Sequence, residues 1–142
     1  MSAIKNRIQQ VYDTSFTNLT LTTQHPYFIF RNQRLIYWSD HRYVPIFAQV
    51  AGDYPIRAFD WEGNKFVVNR LPFMVRSDSL TIYSLVNLYH HFNTDGNNPF
   101  LQSSYNAAIF TINPTNISLD QSNEPHNIYS PNKEFLFSVE TP

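Results

Sequence analysis

Apolar residues recur at three- and four-residue steps at the start of the chain, where Ile4, Ile8, Val11, Tyr12, Phe16 and Leu19 fall on one helical face. That stripe predicts a helix from about residue 3 to 16, which must bury it against a sheet or a partner helix. Thr17 to Gln24 is polar and β-branched, and His25-Pro26 marks a break, because the residue before a proline is pushed out of the helical region. From Tyr27 the pattern changes. Tyr27-Phe28-Ile29-Phe30-Arg31 and Arg34-Leu35-Ile36-Tyr37-Trp38 are β-rich arms on either side of Asn32-Gln33, which predicts a hairpin with a tight turn.

Val44 to Val50 and Tyr54 to Trp61 are further candidate strands, separated by Ala51-Gly52-Asp53. Glu62-Gly63-Asn64 supplies turn chemistry before a strand from Lys65 to about Val75. Pro72 has no N–H for a ladder, so this strand is expected at an edge or interrupted. Ser77-Asp78-Ser79 offers N-caps, and Leu85, Leu88, Tyr89 and Phe92 stand at i, i+3, i+4 and i+7. A second helix over Ser79 to Phe92 is therefore predicted, ended by Asn93-Thr94-Asp95-Gly96 and followed by a polar loop from Asn97 to Asn106. Short strands at Ile109 to Ile112, Ile117 to Leu119, Asn127 to Tyr129 and Glu134 to Val139, broken by Pro114, Pro125 and Pro131, complete the chain. No internal repeat is present.

These elements compose an α+β domain over residues 1–142, with the helix at about 3–16 packed on a central antiparallel sheet and the second helix within about 27–139. The hairpin arm Leu35-Ile36-Tyr37-Trp38-Ser39-Asp40 is similar to the opening hairpin of extracytoplasmic sensor domains of bacterial membrane histidine kinases. The resemblance continues in order through Leu71-Pro72-Phe73-Met74-Val75, Ser84 to Asn93, and the closing Glu134-Phe135-Leu136-Phe137-Ser138-Val139. It implies a PAS-like or Cache-like sensor fold, periplasmic or extracytoplasmic and membrane-anchored in a longer parent protein. It also implies that the closing segment sits just before a second membrane span. The implied function is detection of a small-molecule or envelope signal, relayed through the terminal segments to a cytoplasmic kinase core by a homodimer. No catalytic motif comes with the resemblance.

The composition narrows the partners. Charged residues are only 15% of the 142, the net charge is −1, and Lys and Arg form no runs, so the clustered cations that nucleic-acid binding requires are missing. With fifteen Asn alongside Ser, Thr and Gln, solubility rests on neutral polar side chains, a balance that suits an exported protein. Cysteine is absent, which excludes disulfides, thiolate metal sites and a cysteine nucleophile. No stretch approaches the roughly 18 apolar residues of a membrane helix.

Candidate chemistry is sparse. His90 and His91 are adjacent, so on a helix they point about 100° apart and do not make the i, i+4 pair that a metal favours. No metal site and no cofactor is expected. Asp40-His41-Arg42 concentrates an acid, an imidazole and a guanidinium, but no nucleophile is positioned with them, and the chain is read as non-enzymatic. Aromatic residues with a polar handle are the better binding candidates: Tyr37 and Trp61, with Arg57, are assigned to a small-ligand pocket. Trp38 is expected to be buried, with Ser39 and Asp40 fixing a structural corner after it. The alternative reading is a secreted small-ligand or carbohydrate-binding module built on exposed aromatic platforms.

Overall fold

The computed structural model describes residues 4–6, 8, 25–39, 44–91, 103–121 and 126–141. Strands account for 54% of it and helix for 8%, so the protein is a mostly antiparallel β fold and not the α+β domain expected. The chain divides into two compact units, Met1–Pro55 with Val68–Leu85, and Ile56–Val67 with Val86–Pro142. Two long strands, β4 (Asn64–Val75) and β5 (Asp78–His90), contribute residues to both units.

The change of class turns on β5, over which a helix was predicted. Its Leu85, Leu88 and Tyr89 fit helical spacing, but the residues before them, Thr81-Ile82-Tyr83, are the β-branched and aromatic types that fit a pleated surface. The supposed cap is a hairpin turn. Arg76 and Ser77 both take positive φ, 49° and 73°, the conformation that matches the twist of two flanking strands. Val44 to Val50 is likewise not a strand. Pro45 is buried, Ile46 is extended, and the Ile46 N–H donates to Gln49 Oε1 at 3.0 Å, which starts a single helical turn, α1 (Phe47–Val50). The Tyr54 hydroxyl donates to the Val50 carbonyl at 2.5 Å and closes that turn.

In the first unit β2 (Arg34–Trp38), β1 (Tyr27–Arg31), β5 and β4 lie side by side in that order. The hairpin read from the sequence is present, with Asn32 and Gln33 at φ 50° and 70°. Tyr27 to Phe30 are all at most 3% exposed, so β1 is covered on both faces. One face joins Tyr27 and Ile29 to Leu80, Ile82, Phe73 and Val75, with helical Ile4 and Ile8 laid over them. On the other face Phe30 meets Tyr83 edge-on at 5.4 Å and Phe47 of α1 at 6.1 Å. The remainder of the helix predicted over 3–16 lies outside the described residues. β4 ends this arrangement, and Pro72 stands exposed in it without interrupting the strand, as a residue lacking an N–H is able to do at an edge.

The second unit contains β3 (Ile56–Trp61), the start of β4 up to Val67, the end of β5 from Val86, and β6 (Ser104–Tyr105), which pairs with β5. A three-stranded antiparallel sheet follows in the order β7 (Asn116–Ser118), β9 (Phe135–Glu140), β8 (Asn127–Tyr129). Val67, Leu88, Ile117, Leu136 and Phe137 form its core. Adjacent Leu136 and Phe137 are both buried because the β8–β9 register slips between Ile128 and Tyr129, and a bulge turns neighbouring side chains to the same side. Ile109, expected in a strand, instead ends a turn whose Ile109 and Phe110 N–H groups both donate to the Asn106 carbonyl at 3.0 Å. No helix among the described residues is long and apolar enough to cross a membrane.

Candidate functional site

A cleft of about 550 Å³ opens on the three-stranded sheet of the second unit. Its floor follows from strand periodicity. The register pairs Asn116 with Glu140 and Ser118 with Ser138, and directly opposed residues share a face, so four polar side chains look one way. Ile117, between Asn116 and Ser118, is 2% exposed and turns to the core. Asp120, Gln121 and His126, from the connection between β7 and β8, supply one wall, and Val139 and Thr141 complete the lining.

Short hydrogen bonds hold these walls. The Asp120 N–H donates to Ser118 Oγ at 3.1 Å, and Ser138 Oγ donates to the Asp120 carbonyl at 3.1 Å. The Val139 N–H donates to the His126 carbonyl at 3.0 Å, and the Thr115 N–H to that of Glu140 at 2.7 Å. Gln121 Nε2 donates to the Tyr129 hydroxyl at 3.2 Å, which fixes a ring that is 47% exposed. Among the described residues, two carboxylates and no Lys or Arg line the cleft, a set whose field disfavours anions.

A second polar group surrounds the β3–β4 turn. Asp60 pairs with Lys65 at 2.6 Å and accepts the Gly63 N–H at 2.8 Å, while Asn64 Oδ1 accepts the His91 N–H at 2.8 Å. The Lys65 ammonium, chiefly, holds the Asp60 carboxyl below its ordinary range, with burial opposing it. His91 Nδ1 and Ser103 Oγ lie 3.4 Å apart. Serine, imidazole and carboxylate are thus neighbours, but both Asp60 oxygens are already engaged by Lys65 and Gly63, and Ser103 is exposed. The group clamps a turn; it is not built as a nucleophile–base–orienter relay. His90 is the last residue of a strand, not part of a helix, and His91 follows it directly. Burial, more than the neighbouring His91, lowers the His90 pKa.

Among the residues picked out from sequence, Tyr37 belongs to the first unit, where it is half-buried and stacks on Tyr27 at 5.5 Å. Arg57 and Trp61 are on β3 in the second unit, four residues apart on one face and therefore roughly 13 Å from each other. Trp61 is half-buried with its ring 4.9 Å from Phe66, and Arg57 is exposed. None of the three lines the cleft. Trp38 is 46% exposed and not buried: it sits opposite Phe28 on β2, the last strand of its sheet, where cover is partial. Ser39 Oγ accepts the Tyr27 N–H at 2.9 Å, and the Ser39 N–H donates to the Tyr27 carbonyl at 3.1 Å. Asp40, His41 and Arg42 lie outside the described residues.

The cleft is lined mostly by polar residues and not by the aromatics that the sequence singles out. The sequence signal for these polar residues is the alternation Asn-Ile-Ser at 116–118 and Ser-Val-Glu at 138–140, each a half-buried strand with a polar face. Comparison with known protein families, curated proteins and solved structures finds no match for this chain.

Proposed function

We propose that this chain is the extracytoplasmic signal-sensing part of a membrane-bound two-component histidine kinase, and that its signal enters the cleft of the second unit. The observation that carries the reading is the place of β9. This strand is the closing segment of the resemblance to kinase sensor domains, which implies a membrane span after it, and Ser138 to Thr141 line the cleft. A ligand bonded there pulls directly on the segment through which such a sensor passes its signal. The opening hairpin adds support: Tyr37-Trp38-Ser39 ends β2, and Ser39 is pinned to the first residue of β1. The described residues are mostly antiparallel sheet with little helix, so the proposal concerns the role and not a PAS-like fold.

Ile4 and Ile8 are buried in the first unit's own core, so these two side chains are not offered to a homodimer partner. The reading is tested by the genomic reading frame that contains this segment. It should encode a membrane span on each side and a histidine kinase core after the second. A frame with neither span nor kinase overturns the sensor reading and leaves the second one, a secreted small-ligand-binding module, which the cleft supports equally well.

A further inference from the structure

The cleft on the three-stranded sheet has a lining that departs from the usual small-molecule site. Such sites run from about 300 to 1,000 Å³ and are mostly apolar with a few polar groups. At about 550 Å³ this one falls within that range, but among the described residues Val139 is its one apolar lining residue. A ligand that fits must be polar over most of its surface.

The kinds of polar group narrow it further. Asp120 and Glu140 are acceptors only, Asn116, Gln121 and His126 each offer donor and acceptor, and the Ser118 and Thr141 hydroxyls do both, while the Ser138 proton is already given to the Asp120 carbonyl. Ser118 Oγ already accepts the Asp120 N–H, which leaves its proton to donate outward. A row of hydroxyl groups, each able to donate to a carboxylate and accept from an amide, matches this set. The two carboxylates turn away phosphates and acids. Tyr129 is not itself in the lining, but its hydroxyl is bonded to the lining residue Gln121, and its half-exposed ring offers a flat face of the kind against which the C–H face of a sugar packs.

We propose that this cleft binds a neutral saccharide of one or two rings, with Asp120 and Glu140 accepting its hydroxyl protons and Tyr129 flanking its ring. The proposal deepens the sensor reading and rests on it only in calling the sugar a signal. The site itself belongs to the isolated chain.

The test is a titration of the full chain, followed by amide chemical shifts and calorimetry, with glucose, galactose, N-acetylglucosamine and maltose. Glucose 6-phosphate and spermidine are the charged comparators. At least one neutral sugar should bind saturably and shift amides of β7 and β9. Replacing Asp120 or Glu140 with Ala should weaken it about tenfold or more, since each removes a hydrogen bond to a charged acceptor. Asp53→Ala, an exposed change in the first unit, should leave affinity unchanged. Melting curves of each variant separate lost binding from lost folding, and Glu140→Gln keeps the shape if Glu140→Ala unfolds the sheet. The proposal is overturned if no neutral sugar binds, if spermidine or the phosphate binds in place of the sugars, or if sugar binding survives both carboxylate changes. Sugar binding that leaves the parent kinase's output unchanged would overturn the sensor reading and keep the site. A kinase that responds to other stimuli while no sugar binds would do the reverse.

Discussion

Phe28 and Trp38 face each other across the β1–β2 hairpin, and the structure assigns them very different energetic weight. Phe28 is 0% exposed in a strand covered on both faces, so Phe28→Ala should cost about 3–5 kcal/mol through lost transfer energy and the cavity left behind. Trp38 is 46% exposed. Burying a whole indole contributes on the order of 3 kcal/mol, so a half-covered one contributes about 1.5 kcal/mol and leaves no closed cavity when removed. Trp38→Ala should therefore destabilise by about 1–2 kcal/mol, well below the cost of a core tryptophan. Urea unfolding followed by far-UV circular dichroism measures both, with the midpoint shifting and the slope unchanged. Phe28→Leu, which keeps most of the volume and should cost about 1–1.5 kcal/mol, gives a foldable reference if the alanine variant does not fold. Equal losses for Trp38→Ala and Phe28→Ala would refute the argument, because they would require Trp38 to be as fully packed as its partner.

The Tyr27 phenol is pushed above its ordinary value by burial first and by its hydrogen bond with Tyr37 second. Folding thus favours its protonated form: the stability is fully present below about pH 10 and falls as pH rises through the folded value, so Tyr27→Phe should flatten the alkaline limb of a stability–pH curve. The Asp60 carboxyl is lowered, so its contribution is present above its ordinary range and lost as pH falls through the folded value. Because the pair is partly exposed, Asp60→Asn should cost less than about 1 kcal/mol at neutral pH in chemical denaturation and remove that acid dependence. Gly63 holds φ +89°, and a Cβ there would stand 2.9 Å from His91 Cδ2, so Gly63→Ala should cost about 1–2 kcal/mol in backbone strain alone and shift the His91 ring signals in NMR. Ile8→Asp should lower the melting temperature sharply, since Ile8 is 0% exposed in the core of the first unit; wild-type melting of this variant would contradict that packing.

Local chemistry made much of this architecture readable. The Asn32-Gln33 and Glu62-Gly63 turns, the strands on either side of them and the closing strand Phe135–Glu140 follow from turn residues and β-rich runs. The Ser79 to Phe92 segment misled because Leu85, Leu88 and Tyr89 satisfy a helical period, while the choice between helix and strand was made by the Arg76-Ser77 turn and by pairing with β1, a non-local partner. Trp38 was misjudged because its size argues for burial, whereas its cover depends on β2 being the last strand of the sheet. The cleft was harder to see than either. Asn116 and Glu140 are 24 residues apart in sequence and become neighbours only through the β7–β9 register.

The sensor proposal is tested most directly by the autophosphorylation rate of the membrane-bound kinase it posits, assayed in membrane vesicles. It is to be compared with a variant in which residues 1–142 are replaced by a short flexible linker between the flanking spans. The account predicts that the replacement fixes the rate at a value several-fold different from the intact protein's and abolishes its response to extracellular stimuli. An intact protein and a replaced one with the same rate and the same response would contradict it.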